Sequence, residues 1–160
     1  MNSKLLTLGS LSNLGKYFQI IGVLGVVASL VFVGLELRQS QKIATAATQQ
    51  ERNNSIITNI QTFSLVGHDW HSIALDNNLK YEFSEREIVA RNQYHVSWFV
   101  YENDFFHYSQ GLMTESVWQA KLKAFEHWYN MCSMRDLYQR RSVWMPAAFR
   151  ELIESFPDKC

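Results

Sequence analysis

The chain has 160 residues, and its 15 lysines and arginines balance its 15 aspartates and glutamates. A general nucleic-acid-binding surface needs an excess of positive charge, so this balance argues against a duplex-binding protein. Aromatic residues make up 14% of the chain, whereas it has only two prolines and seven glycines. Few turn-forming residues favour long helices over short strands, so the expected fold class is all-α.

Residues 1–16 are expected to form an N-terminal tail. Five leucines stand among serines and asparagines in this stretch. The tail is either a short amphipathic segment at a membrane surface or a disordered end.

An uncharged segment, YFQIIGVLGVVASLVFVGL, runs for nineteen residues from Tyr17 to Leu35. As a helix it would span roughly 28 Å, which is close to the thickness of a bilayer core. We therefore predict a transmembrane helix over residues 17–37. A buried core helix of a small domain rarely runs this long without a charge. For a cleaved signal peptide, the small residues at 44–46 lie too far beyond the apolar run.

One face of this helix carries small residues and a polar end, namely Gly22, Gly25, Ser29 and Glu36. Helices associate in lipid through close packing of small residues, so this stripe predicts a homo-oligomer. The alternative is that glycine is simply common in transmembrane helices.

The helix is expected to continue to about Leu75, first as a polar helical stalk over residues 38–55. Residues 56–160 would then form a helical-bundle soluble domain. Ile56, Ile60, Phe63 and Trp70 begin an apolar face at helical spacing.

Local signals place the later helices. Ser84 and Glu87 form a capping-box pattern for a helix from Glu85 to about Gln110. Gly111 would end that helix, and Thr114 would cap the next one, which starts at Glu115 and has an apolar stripe reaching Cys132. A short helix over residues 135–142 and a final helix over residues 146–156 would complete the domain.

The only two cysteines are Cys132 and Cys160. They give no disulfide framework, and we interpret Cys132 as a core residue and Cys160 as a free thiol or a lipid site. The positive charges on the two sides of the apolar segment are nearly equal in number. Unpaired cysteines favour a reducing compartment, so the expected location is a bacterial inner membrane with the domain in the cytoplasm.

Candidate catalytic and metal-binding residues are few. His68 and His71 lie one helical turn apart and could both face a metal, but no third and fourth ligand accompany them, so structural histidines are the preferred interpretation. Glu102 and Asp104 lie among aromatics, where a cleft could raise their pKa values. Without a nucleophile or a glycine-rich loop nearby, a solvated helix face is preferred, and we assign no catalytic residue, metal or cofactor.

A basic cluster near aromatic residues is the best candidate ligand site. It consists of Arg135, Arg140 and Arg141, together with Lys121 and Lys123 on the preceding helix. Guanidinium groups beside stacking aromatics suit a small anionic ligand that carries bases. The alternative is a set of surface ion pairs with Asp136 and Glu151.

Two stretches, VFVGLELRQSQK and RRSVWMPAAFRELIES, resemble a group of short bacterial single-pass membrane proteins of unknown function. That resemblance implies the fold and the anchoring only. In layout the chain is also similar to membrane-anchored effectors of type III CRISPR defence, which bind cyclic oligoadenylate.

The expected function is therefore a non-enzymatic, homo-oligomeric sensor or effector in antiviral defence. It would bind a small anionic ligand such as a cyclic oligonucleotide and signal to the lipid bilayer. The alternative is an accessory subunit of a larger membrane complex.

Overall fold

The computed structural model describes the backbone from Ser3 onward and the side chains from Gly15 onward. The part of the chain that it describes is all-helical and contains no strand. The α-helices are α1 (Ser3–Leu65), α2 (Trp70–Ala74), α3 (Glu85–Ser109), α4 (Glu115–Tyr129), α5 (Arg135–Ser142) and α6 (Ala147–Glu154), with a short 3-10 turn at Cys132–Met134. The chain divides into two compact units, residues 1–44 and residues 45–160. Most of the side chains of the expected tail, residues 1–16, lie outside the described residues.

The first unit consists of the first part of α1. Its apolar side chains are exposed, including Phe18, Leu24 and Leu30, and none of the apolar window is buried. Among the described helices, α1 is the one that is long and apolar enough to cross a membrane. At Gly22 and Gly25 an added Cβ would meet no atom of the described residues within 4 Å.

In the second unit, the last part of α1 runs antiparallel to α3. The Asn53 side chain donates a hydrogen bond of 2.7 Å to the Phe99 carbonyl. Asn103 donates to the side chain of Gln50, three residues earlier on α1. Ala46 and Asn53 are buried. Residues 38–55 are helical, as expected of the stalk, but the stretch from Ala46 to Asn53 contributes buried side chains.

The prediction that this helix reaches Leu75 is wrong, because α1 ends at Leu65. Gly67 has a φ of +73°. The amide of His68 donates to the carbonyl of Phe63 at 2.8 Å, and the amide of Gly67 donates to the carbonyl of Ser64 at 3.2 Å. This pair of bonds around a left-handed glycine is the Schellman ending of a helix. The chain therefore turns before α2.

The core is aromatic and is centred on α3. Tyr94 and Trp98 of α3 are fully buried, as are Phe125 of α4 and Phe149 of α6. Their rings meet at centroid distances between 5.6 and 6.2 Å in edge-on geometries. Aromatic side chains of α3 therefore face the interior of the unit. Burial of such large rings is the main stabilising contribution in this unit.

The ends of the later helices lie close to the predicted residues, with differences at Thr114 and at the last helix. The capping box of Ser84 and Glu87 is present at the start of α3. Gly111 follows α3 with a φ of +72°. Thr114 occupies the N-cap of α4 but makes no side-chain cap bond. The last helix is shorter than expected, since Pro146 is its N-cap and Glu154 its final residue.

The interpretation of the two cysteines is wrong, because Cys132 and Cys160 form a disulfide with a Cα–Cα distance of 5.3 Å. Helix α4 ends at Tyr129, so Cys132 leaves the predicted apolar stripe and is exposed. The C-terminal tail returns to it because the Lys159 amide donates to Asn130 at 2.8 Å. An ion pair of 2.9 Å between Arg135 and Asp158 holds the same tail.

Reduction of this disulfide is expected to lower the thermal stability of the second unit. The bridge joins residues 28 positions apart. Restricting a loop of that length in the unfolded chain stabilises the fold by about 3 kcal/mol, and about 1 kcal/mol shifts the midpoint of a unit this size by several degrees. Thermal melts of the full chain with and without reductant measure the effect. A Cys132→Ser/Cys160→Ser variant should melt at the lower temperature and ignore the reductant; a wild-type melt that is unmoved by reductant contradicts the expectation.

Candidate functional site

The most unusual feature of the second unit is a buried pair of histidines, His71 of α2 and His95 of α3. Both side chains are fully buried. The Nδ1 atom of His71 lies 3.0 Å from the Nε2 atom of His95, and the rings stack with centroids 4.9 Å apart. Two ring nitrogens at this distance require that one carries a proton and donates it to the other. We call these two residues the histidine pair.

A carboxylate orients the protons of the histidine pair. The Asp76 Oδ2 atom lies 3.5 Å from His71 Nε2. That carboxylate favours the proton of His71 on Nε2, which leaves Nδ1 of His71 to accept from Nε2–H of His95. His95 Nδ1 then keeps a bare lone pair. His71 Nε2 and His95 Nδ1 are both buried without a hydrogen-bond partner, so Asp76 acts on His71 through its charge and not through a hydrogen bond.

Burial keeps the histidine pair neutral. Burial and, to a smaller extent, the positive charge of Arg141 lower the pKa of His95 to about 2. Burial also lowers the pKa of His71, although the negative charge of Asp76 opposes that shift. Protonation of His95 would put an unpaired positive charge in the interior.

A buried ion pair joins α3 to α5. Arg141 is only 3% exposed, and its Nη2 atom lies 2.7 Å from Oε1 of Glu102. The guanidinium also stacks 3.9 Å above the ring of Phe99. Burial raises the pKa of Glu102, while the positive charge of Arg141 lowers it. The preferred interpretation of Glu102 as a solvated residue is therefore wrong.

Two polar contacts hold α2 in place beside the histidine pair. Asp69 caps α2 and receives two hydrogen bonds from Arg91, of 2.9 and 3.1 Å. Burial raises the pKa of Asp69, but the hydrogen bonds from Arg91 and Ser72 outweigh it and lower the pKa overall. Asn92 accepts from the amide of Trp70 at 2.8 Å.

The predicted ligand-binding residues do not converge on one free anion site. Four of them have carboxylate partners: Arg135 with Asp158, Arg140 with Asp76 and Asp136, Arg141 with Glu102, and Lys121 with Asp104. Lys123 is exposed. The pairing with Asp136 agrees with the alternative interpretation of surface ion pairs.

The two histidines that could have faced one metal, His68 and His71, lie next to different residues. His68 is exposed between α1 and α2, and its Nδ1 atom lies 3.1 Å from the Tyr81 hydroxyl. His71 faces His95 instead. Among the described residues, no group of three or more acidic, histidine or cysteine side chains could hold a metal ion.

A cavity of about 300 Å³ lies between the start of α3 and the 3-10 turn. Its lining is apolar at Phe83, Ala90 and Met134, and charged at Arg86, Glu87 and Arg91, with Ser133 beside them. We call it the α3 cavity. None of the five predicted ligand-binding residues lines it.

Comparisons with protein-family models, with curated proteins and with solved structures find no match for this chain. The geometry of its own residues therefore carries the functional argument.

Sequence reasoning missed His95, Arg91 and Arg86. The signal for His95 was its place inside an apolar run, between Tyr94 and Val96. A histidine within such a run is buried if the run is, and a buried histidine needs a partner. The identity of that partner depends on the tertiary contact of α2 with α3.

The histidine pair should make the protein less stable as the pH falls from 7 to 5. Unfolded histidines titrate near 6.5, whereas burial lowers the pKa of both folded rings, so the unfolded state binds more protons below that pH. His95, whose folded pKa is about 2, contributes up to about 1.4 kcal/mol per pH unit in this window, and His71 adds to the effect in the same direction. Asp69 adds nothing here because its lowered pKa acts at more acidic pH. Glu102 acts with the opposite sign, because its pKa is raised.

Thermal melts at a series of pH values measure this dependence. A His95→Gln variant keeps a hydrogen-bonding side chain beside His71 but removes one titrating ring, so its pH dependence should be shallower. The exposed His127 provides a matched control, and His127→Gln should retain the wild-type slope. Equal slopes in all three proteins would exclude the histidine pair as the cause.

Removing one partner of the Arg141–Glu102 pair should be more costly than removing both. A Glu102→Gln change leaves a buried guanidinium without its counter-charge, which typically costs about 3 kcal/mol. A Glu102→Leu/Arg141→Met double variant removes both charges and should lose less stability than either single variant. Melting midpoints of the variants test this order, and a double variant less stable than both singles contradicts it.

Proposed function

We propose that this chain is a single-pass, homo-oligomeric membrane protein without enzymatic activity, whose second unit senses a small anionic ligand and signals to the bilayer. The observation that carries the proposal is the continuity of α1. One helix, Ser3–Leu65, contains both the exposed apolar segment and the side chains that bond to α3. A repacking of α3 would therefore act on the same helix that anchors the chain.

Polar contacts between α1 and α3 support this coupling. Asn53 and Asn103 are buried, and each bonds across the two helices. Buried polar contacts have a narrow range of acceptable geometries, so a shift of α3 along its axis breaks them. A ligand that binds better to the shifted arrangement would favour it by the difference in its two affinities.

The disulfide supports an orientation opposite to the one expected from sequence. Disulfides persist in oxidising compartments and are rare in the cytoplasm. The expectation of a cytoplasmic domain rested on unpaired cysteines, and Cys132 and Cys160 are paired. We therefore place residues 45–160 on the extracytoplasmic side in this proposal. A ligand made in the cytoplasm, such as a cyclic oligonucleotide, would not reach a unit in that location.

An accessory subunit of a larger membrane complex is the second candidate. It is favoured by apolar side chains on the surface of the second unit. Trp144 is 74% exposed and follows the exposed Val143, and Leu65 is 86% exposed. Exposed tryptophan is enriched at protein interfaces. Co-purification of one defined partner, lost in a Trp144→Ser variant, would favour this candidate.

The small-residue stripe should control self-association. A Gly22→Leu/Gly25→Leu variant would prevent close helix approach and shift the protein to smaller species in detergent. Gly34 lies about 140° around the helix from this stripe, so Gly34→Leu is a matched control that should leave the oligomer intact. Light scattering after size exclusion measures the mass. A monomeric wild-type protein would overturn the oligomeric part of the proposal.

Orientation is tested separately by fusing reporters to the C-terminus in bacterial cells. Alkaline phosphatase needs its own disulfides and folds only outside the cytoplasm, whereas a fluorescent protein that matures in the cytoplasm reports the opposite side. We expect phosphatase activity and little fluorescence. The reverse pattern would place the unit in the cytoplasm and reinstate a cytoplasmic ligand.

A further inference from the structure

The α3 cavity combines an apolar wall with an exposed arginine, Arg86. Phe83, Ala90 and Met134 supply apolar surface. Arg91 and Glu87 already have partners, since Arg91 bonds to Asp69 and Glu87 bonds to Ser84 in the capping box. Among the side chains that the structure describes, Arg86 is a charged residue of this lining for which no hydrogen bond or ion pair is recorded.

The hydrogen-bond donors of the cavity favour a carboxylate. Arg91 is paired with Asp69, and the Glu87 carboxylate keeps its negative charge while it accepts from the Ser84 amide at 2.8 Å and the Ser84 hydroxyl at 2.6 Å. Arg86 is exposed and carries a fork of donors that matches the geometry of a carboxylate. The apolar lining beside it excludes a ligand that is polar throughout, because such a ligand would lose hydrogen bonds to water.

The volume limits the size of the ligand. About 300 Å³ is the lower end of the range for small-molecule sites. A ring or a short aliphatic chain with one carboxylate fits this space.

We propose that the α3 cavity binds small organic monocarboxylates, with the carboxylate on Arg86 and the apolar body against Phe83 and Met134. Arg91 stands between this site and the histidine pair, since its guanidinium stacks 4.0 Å over Phe83 and bonds to Asp69, which caps α2. A carboxylate that also draws hydrogen bonds from Arg91 would loosen the hold of Arg91 on α2. The site itself depends only on residues 45–160, whereas its role as the input of the sensor rests on the proposed function.

The test uses the full chain in lipid nanodiscs and the probe benzoate, which has nine heavy atoms including one carboxylate. We expect benzoate to bind with a dissociation constant of about 1 mM, which is ordinary for a fragment of this size. Benzamide has the same shape without the charge and should bind at least tenfold more weakly. Inorganic phosphate has the charge without the apolar body and should also bind at least tenfold more weakly. Titrations followed by methyl NMR of Met134 locate the site.

Two variants and one control place the ligand. Arg86→Met keeps the length of the side chain but removes the donors, and should weaken benzoate at least tenfold. Ala90→Phe fills the cavity and should abolish binding of benzoate. Arg52→Met makes the same chemical change at an exposed arginine of α1 and should leave binding unchanged. Circular dichroism confirms that each variant is folded.

Three results would overturn the inference. They are no binding of benzoate up to 10-fold above the expected constant, equal binding of benzoate and benzamide, and unchanged binding in Arg86→Met. None of these depends on oligomeric state or membrane orientation. A monomeric protein that binds benzoate would refute the oligomeric sensor and leave this site intact. An oligomer that does not bind benzoate would refute this site and leave the oligomeric part of the proposed function intact.

Discussion

Three polar side chains that α3 carries into the interior pair with side chains on other helices, and these pairings organise the second unit. A buried donor or acceptor without a partner costs about 1–3 kcal/mol, so each such group fixes the position of its neighbour. Three helices are tied to α3 in this way. The ties are Asn103 with Gln50 on α1, His95 with His71 on α2, and Glu102 with Arg141 on α5. The remaining two helices, α4 and α6, meet α3 through aromatic rings.

These two kinds of contact contribute differently. The rings of Trp98, Phe125 and Phe149 bury large apolar areas and tolerate small shifts, because their attraction varies slowly with position. A buried ion pair or an imidazole pair adds little net stability, since desolvation offsets most of its attraction, but it permits only a narrow geometry. The polar side of α3 therefore specifies the arrangement of α1, α2 and α5, whereas the aromatic side stabilises it. A signal that rearranges the unit would act on the polar side, where Arg91 links the α3 cavity to the cap of α2.

Local features of the fold could be predicted from the sequence, while contacts between distant segments could not. The capping box of Ser84 depends on a residue only three positions away. The predicted bounds of the short helix, residues 135–142, also match those of α5. The end of α1 was missed because a single glycine inside a helical pattern is often tolerated, and Gly67 acts as a stop only through two backbone bonds. The disulfide and the histidine pair join residues 28 and 24 positions apart, respectively, and no spacing rule relates them. The polar composition of residues 38–55 was also misleading. It predicted a stalk, whereas Asn53 in this segment is buried and bonds to α3.

The residues that follow Cys132 of the disulfide also line the α3 cavity. The oxidation state of the disulfide can therefore affect binding of the proposed ligand. Ser133 and Met134 line the cavity and directly follow Cys132, whose bridge to Cys160 holds the 3-10 turn against the C-terminal tail. The disulfide restricts the movement of Ser133 and Met134 before a ligand binds, so these residues lose less conformational entropy on binding. By linkage, a ligand that prefers the restricted wall favours the oxidised form to the same extent. The cavity would then be best formed in an oxidising compartment, where the unpaired Arg86 would meet anions from outside the cell rather than cytoplasmic nucleotides.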